Sequence, residues 1–185
     1  MSIRNDIAQY VPDNKQEARD QAVILHFLDT NDDAFLRTNT IAHMTASAWV
    51  VNPARTKVLM IYHKIYDSWS WTGGHADGDE DLLAVALREV REETGVRHVR
   101  PVSEDIFSLE VLTVDGHEKR GEYVPSHLHL NVTYLLEADE HDALHIREEE
   151  NSGVRWLELG RIDQYCTEPD MIPVYKRLFS RANIC

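Results

Sequence analysis

The sequence predicts a mixed α/β fold, and three observations carry that expectation. An apolar run at residues 44–51 reads as a buried strand, a strongly patterned helix covers residues 77–94, and three more strand-like runs follow it. Strands on both sides of a central helix are the raw material of layered α/β folds. With 185 residues and no Pro-, Gly- or Ser-rich divider, one domain is expected, since roughly 100–200 residues is the usual size of a single hydrophobic core.

Taken in order, residues 1–41 read as a helical extension and residues 42–185 as the domain proper. In the extension, Ala18, Ala22, Leu25 and Leu28 recur at three- and four-residue steps and predict an amphipathic helix over residues 14–28. The strand at 44–51 stops at Asn52-Pro53, a turn signal, and residues 57–63 read as its hairpin partner. In the helix at 77–94, acidic Asp79, Glu80 and Asp81 crowd the start, where the helix dipole favours negative charge. Gly95 lies just past its end, where a left-handed cap suits glycine. Further strands are expected at 106–114, 128–136 and 153–159, and a last helix at 172–181.

Composition narrows the function. The 32 acidic side chains outnumber the 19 basic ones, giving a net charge of −13 and a pI of about 5.1. Such a surface repels phosphate polymers and anionic membranes, so neither a nucleic acid polymer nor a membrane is expected as partner; the nearest approach to a basic patch is Lys119-Arg120. The longest uncharged run, 38–51, is too short and too polar to span a bilayer, and the first residues lead into no apolar secretion segment. Cys166 and Cys185 are the only cysteines, so a disulfide framework is not expected and a cytoplasmic setting is. Oligomeric state is open, a homodimer included.

The chemistry concentrates at residues 74–96. Seven carboxylates (Asp77, Asp79, Glu80, Asp81, Glu89, Glu92, Glu93) stand there against Arg88 and Arg91, so this window holds −5 of the −13. At about 100° per residue, Glu89, Glu92 and Glu93 share one helix face, while Leu83, Ala86, Leu87 and Val90 share a neighbouring apolar one. Three like charges so close repel one another unless a cation neutralises them, and clustered carboxylates select hard divalent cations. The alternative is a solvated acidic face partly paired by the two arginines.

Spacing shifts that balance. Gly74, five residues, Glu80, seven residues, then Arg88-Glu89-Val90-Arg91-Glu92-Glu93-Thr94-Gly95-Val96 resembles the signature of the Nudix hydrolases at every fixed position. The resemblance implies an α/β/α sandwich with a mixed sheet, and an enzyme that uses Mg²⁺ or Mn²⁺ to hydrolyse a nucleoside diphosphate linked to another moiety. It implies Glu89, Glu92 and Glu93 as metal ligands, completed by the carbonyl of Gly74. Arg88 would orient the glutamates and Glu80 would tie the loop to the helix. The general base would be a carboxylate of the motif or of a later loop. Among Glu148, Glu149 and Glu150 the last is favoured, although an exposed acidic turn explains the triplet too.

His127 and His129 alternate on a predicted strand and so point to the same face, while His43 precedes a strand and His75 follows Gly73-Gly74. Four imidazoles can thus meet near the glutamate helix, and His75, His127 and His129 are candidates for contact with substrate phosphates. The placement also resembles isopentenyl diphosphate isomerase, a relative that uses histidines near such positions to hold a metal. That isomerase needs a cysteine in the glycine loop, however, and this loop reads Trp71-Thr72-Gly73-Gly74-His75. Trp71 is a candidate for stacking on a nucleobase, with core packing as the commoner use of tryptophan. The proline and tyrosine that mark ADP-ribose and diadenosine-polyphosphate hydrolases are replaced by Val111 and Thr113, so no subfamily is assigned. A Nudix module that senses a nucleotide without cleaving it is the other class of reading.

Overall fold

The computed structural model describes residues 2–119 and 121–183, so Arg120 of the basic pair and Cys185 lie outside the described residues. Two helices come first, α1 (Ile3–Gln9) and α2 (Lys15–Thr30). Asn14 starts α2, its side-chain oxygen accepting from the Glu17 N–H at 3.0 Å. The buried face of α2 differs from the alanine-lined one expected. Ala18 and Ala22 are exposed, whereas Ile24 is buried and Leu25, Phe27 and Leu28 pack beside the core. Periodicity misleads here because the inward position two turns before Ile24 is Glu17, a buried carboxylate. It is tolerated because Tyr10 Oη and the Asp13 N–H donate to it at 2.8 and 2.7 Å.

The sheet is built from β1 (Ala42–Val51), β2 (Lys57–His63), β3 (Ser68–Ser70), β4 (Thr72–His75), β5 (Val99–Pro101), β6 (Ser108–Val114), β9 (His127–Ala138) and β10 (Asn151–Glu158). Among the described residues, β7 (His117–Lys119) and β8 (Glu122–Val124) pair only with each other. Strand order is β10-β2-β1-β9-β5, with β3 on β2, β4 on β1 and β6 on β9. β1 and β9 run parallel in unbroken register from Ala42↔Leu128 to Val51↔Glu137, and the other pairs are antiparallel, so the sheet is mixed. The expected 44–63 hairpin exists but is short: β1 meets β2 at Val51↔Val58, and then turns to β4 while β2 pairs with β3 and β10. Its turn is pinned by Asn52, whose side-chain oxygen accepts the N–H groups of Thr56 and Lys57, each at 2.9 Å.

Alternation along β1 feeds two cores. Met44, Ala46, Ala48 and Val50 face helix α3 (Leu82–Thr94), which buries Leu82, Val85, Ala86 and Val90 against them together with Ile3, Ile7 and Ile24. Trp49 and Val51 face the C-terminal helices α4 (Ile162–Tyr165) and α5 (Met171–Ala182), packing with Ile162, Val174, Tyr175 and Leu178. A sheet covered on both faces explains why all ten residues of β1 are buried and why that strand reads as continuous apolar sequence. The layers are those of an α/β/α sandwich.

α3 starts five residues later than its acidic pattern suggests. Asp77 and Gly78 both take positive φ (51° and 91°), which no helix accommodates, so Asp77, Asp79 and Glu80 lie in a turn. Asp81 is the cap, accepting from the Ala84 N–H at 3.0 Å. The Asp-Gly pair was the readable warning. The other end matches expectation, with Gly95 left-handed at φ 75° and its N–H on the Arg91 carbonyl.

One face of β1, β6 and β9 carries a buried polar row that composition did not announce. Thr45 and Ser47 donate to Asn131 Oδ1 at 3.0 and 2.9 Å; Asn131 Nδ2, Thr133 and Ser108 in turn donate to the fully buried Glu110. Burial pushes the Glu110 carboxyl up to about 7 from its usual 4.5, against the pull of those donors. The folded protein therefore holds this proton more tightly than the unfolded chain. Stability from this group is full below pH 4.5 and is lost as pH rises to about 7, by up to about 3 kcal/mol at roughly 1.36 kcal/mol per pH unit. Glu110→Gln should be spared that loss, because its amide can donate to Ser108 and still accept from Asn131 and Thr133. Urea unfolding of both proteins at pH 5 and pH 8 checks this: the variant gains on the wild type at pH 8, and an unchanged difference between the two pH values refutes it.

Candidate active site

The Gly73-Gly74 segment of β4 is where the site begins. β4 lies so close against β1 that an added Cβ at Gly73 meets Ser47 Oγ at 2.6 Å and the Ala46 carbonyl oxygen at 2.7 Å. At Gly74 the neighbour is the catalytic-helix candidate itself: a Cβ there meets Glu89 Cδ at 2.5 Å. Both glycines are thus needed for close approach, and the carboxylate of Glu89 rests on the main chain of Gly74. One helical turn further, Glu93 Oε2 accepts the Gly73 N–H at 3.1 Å and is only 3 % exposed. Burial pushes the carboxyls of Glu89 and Glu93 up, Glu93 strongly, and each has like charge beside it. These two carboxylates are held close to one another with little water to screen them.

Glu92 is more exposed and points toward the later loop. Arg147 bridges it to Glu150, with Nη1 at 3.1 Å from Glu92 Oε2 and 3.3 Å from Glu150 Oε2. Glu150 is therefore brought to the glutamates of α3, as its charge acting on Glu89 and Glu93 also indicates, while Glu148 and Glu149 are exposed. Arg88 reaches Glu89 at 3.9 Å and Asp79 at 3.4 Å. Glu80 is exposed, so the contact from the loop to Arg88 is made by Asp79.

His43, His75, His127 and His129 do meet: one nitrogen from each lies within 4.8 Å of the others. The pairing is written in the sheet register, which sets His43 beside His129 on β1 and β9 and His75 opposite Thr45 on β4. Burial pushes the His43 imidazole down, and the neighbouring charges of His127 and Arg37 act in the same direction. Trp71 is partly buried, with its main-chain N–H donating to Tyr175 Oη at 3.3 Å and its ring edge-on to Tyr175. Its place is thus in the wall shared with the second core.

Two residues escaped sequence reading. Arg147 sits between Glu92 and the Glu150 loop, and Arg37 forms a two-pronged ion pair with Asp77, one contact at 2.6 Å, beside the histidines and within the field of Glu89 and Glu150. The Arg37–Asp77 pair spans 40 positions and the Arg147–Glu92 pair 55, so no local signal pointed to either long-range contact. Among the described residues no helix is long and apolar enough to cross a membrane.

Comparison with known proteins agrees with this geometry. The NUDIX domain family matches residues 42–178. An Ap4A hydrolase of C. elegans is 21% identical over 74% of this chain and 94% of its own, with a TM-score of 0.54. A NUDIX-family hydrolase from Clostridium perfringens is 17% identical over 75% and 96%, with a TM-score of 0.53. The MutT protein from Methanosarcina mazei Go1 is 20% identical over 78% and 97%, again at 0.53. At such identities the likeness is one of fold. No curated protein matches the chain.

Proposed function

The chain belongs to the NUDIX family, whose domain spans residues 42–178, and we propose that it is a divalent-metal-dependent pyrophosphohydrolase that splits a nucleoside diphosphate linked to another moiety. The observation that carries this reading is the convergence of Glu89 and Glu93 on Gly73-Gly74. A buried and a half-buried carboxylate, both with raised affinity for protons, are a poor arrangement for a protein by itself and a good one for a hard cation, and carboxylate and main-chain carbonyl oxygens are the donors that Mg²⁺ and Mn²⁺ prefer.

In this reading Glu89, Glu92, Glu93 and the Gly74 carbonyl hold the ion. When bound, such an ion offsets the charge of a diphosphate and acidifies water. Arg88 orients Glu89 through their 3.9 Å contact. Glu150 serves as general base and takes a proton from the attacking water; Arg147, shared with Glu92, keeps its carboxylate directed at the site. His75, His127, His129 and Trp71 are the substrate-facing residues, His75 being joined directly to Gly74 in β4. A small diphosphate compound suits a strongly acidic protein because the local cation, and not the overall field, attracts it.

The test is to incubate the purified protein and Mg²⁺ with a panel of nucleoside diphosphate derivatives and to identify the products. Release of a nucleoside monophosphate with the partner phosphate supports the proposal. Tight binding without product favours the sensor reading and overturns it. The metal arm has its own prediction: Mg²⁺ or Mn²⁺ raises the melting temperature, by the equivalent of about 2.7 kcal/mol at 100 times the dissociation constant, because an ion that binds only the native state must stabilise it. A melting curve indifferent to both ions refutes the ligand assignment.

A further inference from the structure

We propose that His43, His75, His127 and His129 form a second metal site, distinct from the glutamates, that takes a borderline transition ion of the Zn²⁺ class. Four imidazole nitrogens from three strands converge within 4.8 Å of one another. His127 Nε2 and His129 Nε2 are 3.2 Å apart. Two ligands on a tetrahedral ion with metal–nitrogen bonds of about 2.0–2.1 Å stand about 3.3–3.4 Å apart, so this edge already has the required length.

His43 Nδ1 lies 2.9 Å from the Asn39 carbonyl oxygen, and His127 Nδ1 lies 2.8 Å from that of Pro125. A carbonyl only accepts, so each Nδ1 carries the hydrogen, and in the neutral ring each Nε2 presents its lone pair. A main-chain carbonyl behind the far nitrogen is the support that metal-binding imidazoles habitually have. His43 Nε2 makes the point sharpest. It is buried, in a side chain 3 % exposed, and has no hydrogen-bond partner among the described residues. A buried lone pair aimed at other imidazoles is costly unless something electron-poor sits there.

Neutral imidazole nitrogen suits Zn²⁺, Ni²⁺ and Co²⁺, whereas the oxygen donors around Glu89 and Glu93 suit Mg²⁺ and Mn²⁺. His75 and Gly74 are consecutive in β4, so the two sites are neighbours that prefer different ions. The four histidines suffice for this site whether or not the glutamates hold an ion, and with an ion there His75, His127 and His129 meet it in place of direct contact with substrate phosphates.

The experiment uses the full chain stripped of metal with a chelator, then titrated with Zn²⁺ and, as a coloured probe, Co²⁺. One equivalent of Zn²⁺ is retained through desalting. Co²⁺ gives the intense visible absorption of a four-coordinate nitrogen site, which six-coordinate oxygen-bound Co²⁺ lacks. His127→Gln and His129→Gln each weaken Zn²⁺ binding roughly tenfold or more, while Glu93→Gln and the exposed-site control His26→Gln leave it unchanged. Should the histidine variants misfold by circular dichroism, ring-nitrogen NMR of the wild type decides: Zn²⁺ moves the signals of these four imidazoles together and leaves the other six of the chain's 10 histidines in place. No retained Zn²⁺, binding undiminished in both histidine variants, binding lost with Glu93→Gln, or ring shifts at other histidines overturns the proposal.

Discussion

Glu93→Gln should abolish turnover of the diphosphate substrate without loosening the fold. The amide oxygen can still accept the Gly73 N–H, which Glu93 Oε2 does at 3.1 Å, so β4 stays tied to α3. What disappears is the negative charge. Supporting contacts around metal ligands typically cost 10–100-fold when removed, and a ligand itself should exceed that, so kcat is expected to fall by at least about 100-fold. Stability should move the other way. Burial pushes the Glu93 carboxyl well up, so the folded state disfavours its charged form; the stability from this group is present at low pH and lost as pH rises through the folded-state value. At pH 8 without metal the neutral glutamine escapes that loss, and the variant should melt at or above the wild-type temperature. Adding Mg²⁺ should raise the wild type and leave the variant behind. Activity within a few-fold of wild type, or a variant that melts well below it, refutes the assignment of Glu93.

The contrast between Glu93 and Glu17 shows how far sequence reading reaches. Both are buried acids on helices. Glu93 was legible because its partners lie at fixed steps in the same stretch, Glu89 one turn before and Gly73-Gly74 at the head of the motif. Glu17 was not, because what makes it an inward residue is Tyr10 across a turn and Ser108 across the molecule, and an acid counted as surface shifted the expected face of α2 onto Ala18 and Ala22. The same division holds for the sheet. β1 and β9 are long and covered on both sides, so their apolar runs stood out, whereas β3 and β4 are short strands of serine, threonine and glycine whose pairing is set by β1 and β2. In the site, the alternation of His127 and His129 gave one face, but only the parallel register of β1 on β9 brings His43 to it. Arg37 and Arg147 had no pattern at all. The helix start at Asp81 was legible and misread, since charge at residues 77–80 outweighed the Asp-Gly turn signal.

The two adjacent glycines should respond differently to the same methyl group. At Gly74 the added Cβ meets side-chain atoms of Glu89, a flexible carboxylate that can swing aside. Gly74→Ala should therefore fold nearly as well as wild type while losing activity, because the carboxylate it displaces is a proposed ligand. At Gly73 the Cβ meets Ser47 Oγ, but also the Ala46 carbonyl oxygen at 2.7 Å and Ser47 Cα at 2.9 Å, which belong to the main chain of the central strand. That backbone is fixed on its other side by the parallel ladder to β9, so β4 must move instead. Overpacking of this kind costs about 1–3 kcal/mol, and in a chain of this size each kcal/mol lowers the melting temperature by about 2–4 °C. Moving β4 also displaces the Glu93 contact and His75 together, so Gly73→Ala should lose stability and turnover at once. Thermal melts and initial rates of both variants separate the two effects. A Gly73→Ala protein that melts and turns over like wild type would mean that β4 is not pressed against β1, and the framework on which Glu89 and Glu93 converge would fail with it.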